Sequence, residues 1–541
     1  MIRPARDERQ STEGKIIRIK LRSRTIFLIL IVLIAASAAL MFIMGSRVPE
    51  VPSGAKIVSQ QLKVWSGETG NYLFLPSGIE VKDLSGDSES SAAAASPNMN
   101  ILQSRNLPSV WITTESGTHE ELFAGKDVKL SGEVSFLDES GSLLGSFALD
   151  YVKTRGNSSF VEYDKKQYQI KLETAQSLFG MAAGKRWILT ANATDHSLIR
   201  NALSRRLGKE MGFPMCGDGQ FLDLYINGEY QGNYYLCERI EVSDTRLDIT
   251  DLEKLTEKVN KGTDLSSFED VWGEASRAKQ IPNDPPDITG GYLFEREFYD
   301  RFEKEAFENE SYFRTNAGEC FIMESPESIS VRQMEYISGL VQEAENAILS
   351  EDGYNADTGL YYLDYIDLDS FAGKYVLEET VKNYDGGSSS SYFYKDRDQK
   401  SRKIYAGPPW DYDLTFGSNP DFIGELDTSP EELTKLLTNT NGTPWFGALY
   451  DKEEFFTRVT QIYESAVRPV LERFIKEDGD IDELEEKLSS SAAMDQVRWN
   501  EMYAAAGNGQ DLTGDYGSRQ SDAGEIRSFI SRRMKFLDSI W

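Results

Sequence analysis

Histidine and cysteine are nearly missing from this chain. Its 541 residues include two histidines, His119 and His196, and three cysteines, Cys216, Cys237 and Cys320. Two histidines argue against a zinc site or a Ser-His-Asp hydrolase. Three scattered cysteines make neither a disulfide framework nor a metal knuckle, although a single Cys216–Cys237 bridge stays open. Catalysis, if present, therefore falls to carboxylates. Positive charge is also short: 58 Lys and Arg against 88 Asp and Glu leave a formal charge of −30. Residues 1–47 alone stand at +6, so the remainder is near −36. A body that acidic repels nucleic acid and anionic lipid, and suits basic partners or a cation-rich surface. The same charge also serves simply to keep an exposed protein soluble. Aromatic residues are plentiful, with 27 Phe, 26 Tyr and 8 Trp, which argues against a disordered chain. The length exceeds one core and implies about two to four domains.

One long apolar run stands out. Thr25 to Met44 is 20 residues without a charge, matching the span of a bilayer. Eight Lys and Arg precede it, from Arg3 to Arg24, so the positive-inside rule puts residues 1–24 in the cytoplasm and the rest outside. A cleaved signal peptide has a shorter apolar region, about 7–15 residues. The expectation is a single-pass anchor in the cell membrane over 25–44, then an extracytoplasmic linker over 45–106. Ser85 to Pro97, rich in Ser and Ala, reads as flexible tether.

From Leu107 to Val152 apolar and polar residues alternate between Gly, Ser and Asp turns, predicting a small β-rich region. Arg155-Gly156-Asn157-Ser158-Ser159 follows. In the next strand Tyr168, Ile170 and Leu172 face one side, and Gln169 and Lys171 the other. Lysines on one strand face beside a Gly-containing Arg loop can meet phosphates; they equally suit a solvated strand. Ile199, Leu203, Leu207 and Met211 recur every four residues, predicting a helix over 197–211, capped by Asp195 or Ser197 and stopped at Gly212. Asn227-Gly228 predicts a hairpin between the strands 221–226 and 230–242. Asp251 to Pro286 reads as a charged insertion or surface helix, and 290–295 resumes a strand. Helices are expected over 328–350, 367–381 and through the tail, where Phe455, Val459, Tyr463 and Val467 mark a core stripe.

Two acidic segments carry the chemistry. Asp385 sits at a helix end, before Gly386-Gly387 and four serines. Asp411 and Asp413 flank Tyr412 and begin 26 residues after Asp385. The intervening residues 391–394 and 403–406 predict a strand pair, enough to carry the chain out and back so that both segments face one cleft. Phosphoryl transfer needs one carboxylate to orient and deprotonate the attacking hydroxyl and another to hold a divalent metal. On a strand, residues i and i+2 point the same way, and Mg²⁺ takes one or two carboxylates plus phosphate oxygens. Each segment alone also fits a turn. An Asp-X-Asp pair equally serves metal-dependent glycosyltransferases.

Taken in series, these segments resemble the CotH kinase family of spore-coat and secreted proteins. The resemblance is carried by Arg155-Gly156-Asn157-Ser158-Ser159, by Lys165-Lys166 with Tyr168, Ile170 and Lys171, and by Asn192, Asp195 and Arg200-Asn201. Leu224 to Gly232 with Glu238, Asn383-Tyr384-Asp385 and Trp410-Asp411-Tyr412-Asp413-Leu414 complete it, in family order. It implies an α+β, two-lobed atypical protein-kinase-like fold with a β-rich N-terminal region and a helical C-terminal region. The corresponding divisions are 107–152, a kinase domain over 153–450 and its helical part over 451–541. It also implies ATP with Mg²⁺, and transfer to protein serine. Asp385 aligns with the catalytic Asp and Asp411 with the metal-binding Asp, with Asp413 in support. By position, Arg155, Lys166 and Lys171 are candidates for phosphate contacts, and Glu238 for nucleotide binding or for pairing a lysine. The protein substrate is expected to be basic and Ser-rich. Many relatives carry Asn where this chain has Ser391, a weaker metal ligand. A non-catalytic role in surface or spore-coat assembly is the alternative.

Overall fold

The computed structural model describes residues 106–541 except 157, 298–309, 388, 419–428, 434–444 and 506–516, together with five short stretches between 56 and 104. The expected anchor over 25–44 lies outside the described residues. Among those residues, no helix is long and apolar enough to cross a membrane.

The fold is α+β. Its first half is a closed seven-stranded barrel. The strands are β1 (Ser109–Thr114), β2 (Leu130–Leu137), β3 (Leu143–Arg155), β4 (Gln167–Gln176), β5 (Gly184–Thr190), β6 (Gln220–Ile226) and β7 (Glu229–Glu238). Their order is β5-β7-β6-β1-β2-β3-β4, and β4 pairs back onto β5. Only the β1–β6 pairing is parallel. Period-two alternation builds the interior: Val110 and Ile112, Val134 and Phe136, Tyr168, Ile170 and Leu172, and Leu222, Leu224 and Ile226 share one core. The turn between β6 and β7 has φ values of 50° at Asn227 and 80° at Gly228, as a type I′ hairpin requires. The expected boundary at 152/153 falls inside β3.

β5, β6 and β7 are buried on their outer faces too. Ile188, Phe221, Tyr235 and Cys237 belong to a second, larger core shared with α1 (Arg200–Glu210) and the C-terminal helices. Asp195 holds the start of α1 by accepting the backbone N–H of Arg200 at 2.9 Å. All three cysteines are buried free thiols, so the Cys216–Cys237 bridge is not formed.

A second seven-stranded sheet lies downstream. Its strands are β8 (Asp270–Trp272), β9 (Ser276–Lys279), β10 (Tyr292–Arg296), β11 (Tyr312–Arg314), β12 (Cys320–Ser325), β13 (Ser391–Lys395) and β14 (Tyr405–Ala406). The order is β8-β9-β11-β12-β10-β13-β14. The segment 251–286 is therefore only partly the expected surface helix. Leu252–Val259 is helical, but β8 and β9 form the sheet edge, where Asp270 pairs with Arg277 at 2.6 Å and Lys279 at 2.8 Å. Those cross-strand pairs let a charged sequence form strands. Helices α2 (Val331–Leu349) and α3 (Leu368–Val381) pack with this sheet in the larger core. The tail supplies α4 (Glu453–Ile462), α5 (Arg468–Ile475), α6 (Asp480–Ala505) and α7 (Gly517–Ile540).

A buried ion pair fastens α6 to the barrel. Lys165 Nζ lies 2.6 Å from Asp495, with the two side chains 0% and 2% exposed. Asp495 also accepts the Asn233 backbone N–H at 2.7 Å. Gly232, at φ +117°, leaves the room: a Cβ there would overlap the Asp495 carboxylate. Replacing Lys165 by Met strands the Asp495 charge. It is expected to lower the unfolding free energy by about 3–5 kcal/mol in urea denaturation of the full-length protein.

Candidate active site

Asp385, Asp411 and Asp413 line one cleft of about 490 Å³, and Arg155 lines it with them. The local chain explains how each arrives. α3 ends at Lys382 in a left-handed conformation, φ +50°, which turns the chain so that Asp385 opens a short 3₁₀ turn through Gly387. β13 and β14 then carry the chain away and back, in antiparallel register Phe393 to Ala406.

The second acidic segment is a bend rather than a strand, the alternative that the sequence left open. Asp411 has φ +65°. Both carboxylates line the cleft because Tyr412 between them is pinned inward. Its N–H is accepted by Asn201 at 2.9 Å, and its hydroxyl donates to Glu378 at 3.0 Å. The two acidic segments meet through Asn383. Its Oδ1 accepts the Asp385 N–H at 3.2 Å, and its Nδ2 lies 3.4 Å from the Asp411 carbonyl oxygen.

The acidic end fits a hard divalent cation. All its charged donors are carboxylate oxygens, the set that Mg²⁺ takes. Asp413 is half-buried in the cleft wall. That burial, and the Asp411 charge beside it, push it up to about 7. Thr194 donates a 2.5 Å hydrogen bond to Asp413. A bound cation would relieve the repulsion between the two acids. Among the described residues no group of three or more His, Cys, Asp or Glu is arranged to hold a metal by itself. Ligands beyond this pair would have to come from elsewhere, as phosphate oxygens do.

Ser391 does not take the place of an amide ligand here. Its hydroxyl donates to the Gly386 carbonyl at 2.8 Å, and it is buried. The neighbouring Ser390 instead reaches the cleft, with its hydroxyl 3.3 Å from the Asp411 carboxylate.

Of the four expected phosphate or nucleotide contacts, the structure brings only Arg155 to the cleft. Its guanidinium stacks 5.1 Å from the centre of the Trp410 ring. Lys166 instead braces the one-turn helix Ser158–Glu162, donating to the carbonyls of Phe160 at 2.6 Å and Tyr163 at 2.5 Å. Lys171 shares a strand face with Gln167 and Gln169, which line the cleft, but sits further along and pairs with Asp150 at 2.6 Å. Two residues of strand advance a side chain by about 7 Å, enough to leave the cleft. Glu238 pairs at 2.6 Å with the fully buried Arg246, which stacks on Trp187.

Further cations and several acids in the cleft were not singled out from the sequence. Lys153 lies two residues before Arg155 on β3, and Arg239 follows Glu238. The i, i+2 spacing of Lys153 and Arg155 was a usable signal. Burial, reinforced by nearby cations including Lys129 and Arg239, holds Lys153 below the usual lysine range. Facing them from the second sheet are Glu295 and Glu324. Arg239 pairs with Glu324 at 3.3 Å, and Tyr392 donates to Glu295 at 2.8 Å. Burial raises both carboxyls, Glu295 well above its ordinary value, and the charge of Glu324 raises Glu295 further.

A raised folded-state pKa means that Glu295 and Glu324 favour the native state most below the ordinary glutamate value of 4.5. That contribution is lost as pH rises through their folded values. The thermal midpoint should therefore fall between pH 5 and pH 8. Glu295→Gln should flatten that fall, read by differential scanning calorimetry; an unchanged slope counts against the assignment.

A family model described as CotH kinase protein matches residues 152–537. No curated protein matches the chain. The matched range holds every cleft residue named above and well over half of the sequence. On this match, the chain belongs to the CotH kinase protein family.

Proposed function

We propose that this protein is an atypical protein kinase that transfers the γ-phosphoryl group of ATP to serine in a protein substrate, with Mg²⁺. The observation that supports it most is the meeting of Asp385, Asp411, Asp413 and Arg155 in one cleft. Mg²⁺, when bound, neutralises charge on the phosphates. Asp411 would hold the cation, with Asp413 in support. Asp385 orients the substrate hydroxyl and accepts its proton as the serine oxygen bonds to the γ-phosphorus and the bond to ADP breaks. Arg155, Lys153 and Arg239 offer positive charge to phosphate oxygens, in place of Lys166 and Lys171. The body charge near −36 favours a basic, Ser-rich protein substrate. Residues 25–44 would anchor the enzyme as a single-pass protein, with its N-terminus cytoplasmic and the cleft outside.

A second reading is a non-catalytic surface or spore-coat assembly protein on the same scaffold. The Ser391 hydroxyl donates to the Gly386 carbonyl, which favours it.

Full-length protein with labelled ATP, Mg²⁺ and a basic Ser-rich protein should show transfer. Asp385→Asn should lower the rate by about 10²–10⁴-fold with nucleotide binding retained. Transfer no greater than that of a folded Asp385→Asn variant would end the kinase reading. In calorimetry, Asp411→Ala should weaken Mg²⁺-dependent ATP binding. No ATP affinity in the unmodified protein selects the assembly reading.

A further inference from the structure

Under the cleft floor one carboxylate touches both acidic segments. Glu378 lies in the last turn of α3 and is 2% exposed. Its Oε1 accepts from Lys374 Nζ at 2.9 Å and from the Tyr412 hydroxyl at 3.0 Å. Its Oε2 accepts from Asn383 Nδ2 at 2.9 Å. Gly386 packs so close that a Cβ there would stand 2.5 Å from the same oxygen. Tyr412 separates Asp411 from Asp413, and Gly386 follows Asp385. Glu378 thus bonds Tyr412, packs closely against Gly386, and through Asn383 reaches the backbone of both segments.

A purely structural account is the weaker one. Burying Lys374 and Glu378 costs desolvation that an apolar pair of similar volume would avoid, with no loss of helix packing. What the Glu378 carboxylate adds is directional acceptors aimed at two loops. Those loops need them, because Ser390 at φ +52° and Asp411 at φ +65° hold left-handed backbones. Such conformations cost of order 1–3 kcal/mol each and persist only where surroundings over-determine them.

We propose that Glu378 is a positioning residue. Its carboxylate fixes the separation of the Asp385 turn and the Asp411–Asp413 turn, and so sets the affinity of the acidic end for a divalent cation. This rests on reading that end as the magnesium site.

The test uses the full-length protein and Mn²⁺ alone, without nucleotide. Glu378→Gln keeps the volume but replaces one acceptor oxygen by a donor. It is expected to weaken Mn²⁺ binding, read by electron paramagnetic resonance, by about 10–100-fold. Amide hydrogen exchange should rise together in 383–391 and 410–414. Lys374→Met with Glu378→Gln removes both charges, so the core stays folded; it should show the same loss of Mn²⁺ affinity. A folded Glu378→Gln variant that binds Mn²⁺ as the unmodified protein does, or in which exchange rises in one segment alone, overturns the proposal. If the unmodified protein binds no Mn²⁺, the magnesium reading falls. The paired rise in exchange then decides whether Glu378 positions the two turns.

Discussion

β5, β6 and β7 are buried on both faces, and that double burial makes the barrel and the helical body a common structure. Leu222, Leu224 and Ile226 point into the barrel, while Phe221 and Tyr235 from the same strands enter the larger core. Each such side chain contributes about 1.5–3 kcal/mol when taken from water, so neither core can be opened without exposing the other's wall. The Lys165–Asp495 pair adds direction to this contact. It sets where α6 sits along β7, something apolar packing alone specifies poorly.

The cleft inherits its character from that junction. The barrel brings Lys153, Arg155 and Arg239 to it, and the second sheet brings Glu295 and Glu324. In a body of net charge near −36, these cations face carboxylates that burial partly neutralises, and one of them, Glu324, pairs with Arg239. The acidic end is built differently. Asp413 feels the Asp411 charge beside it and accepts the Thr194 hydroxyl, which follows β5. Like charges crowded this way favour either a proton or a cation.

Much of this was legible in one dimension. Alternation marked β1 to β4, Asn227-Gly228 marked the β6–β7 turn, and the four-residue stripe marked α1. Two features that the sequence does not display share one cause. The segment 270–279 lacks an apolar pattern, and its strands are made by ion pairs between neighbours that are not adjacent in sequence. Lys166, Lys171 and Glu238 have the right chemistry for a nucleotide site, but their partners are a helix carbonyl pair, Asp150 and Arg246. Charge type is written in the residue, whereas its partner is written in the register and length of the strand that carries it.

By itself, the sequence determined many of the elements, the pair of acidic segments and the strand pair between them, because period, turn residues and spacing are local properties. It also supplied the motifs through which the family is recognised. Only the tertiary structure decided which basic residues face those acids. Glu238 and Arg239 are neighbours in the chain, yet pleating sends one to Arg246 and the other into the cleft. It likewise decided that Glu378 lies beneath both turns. That is a contact among residues up to 34 positions apart, which no local pattern encodes.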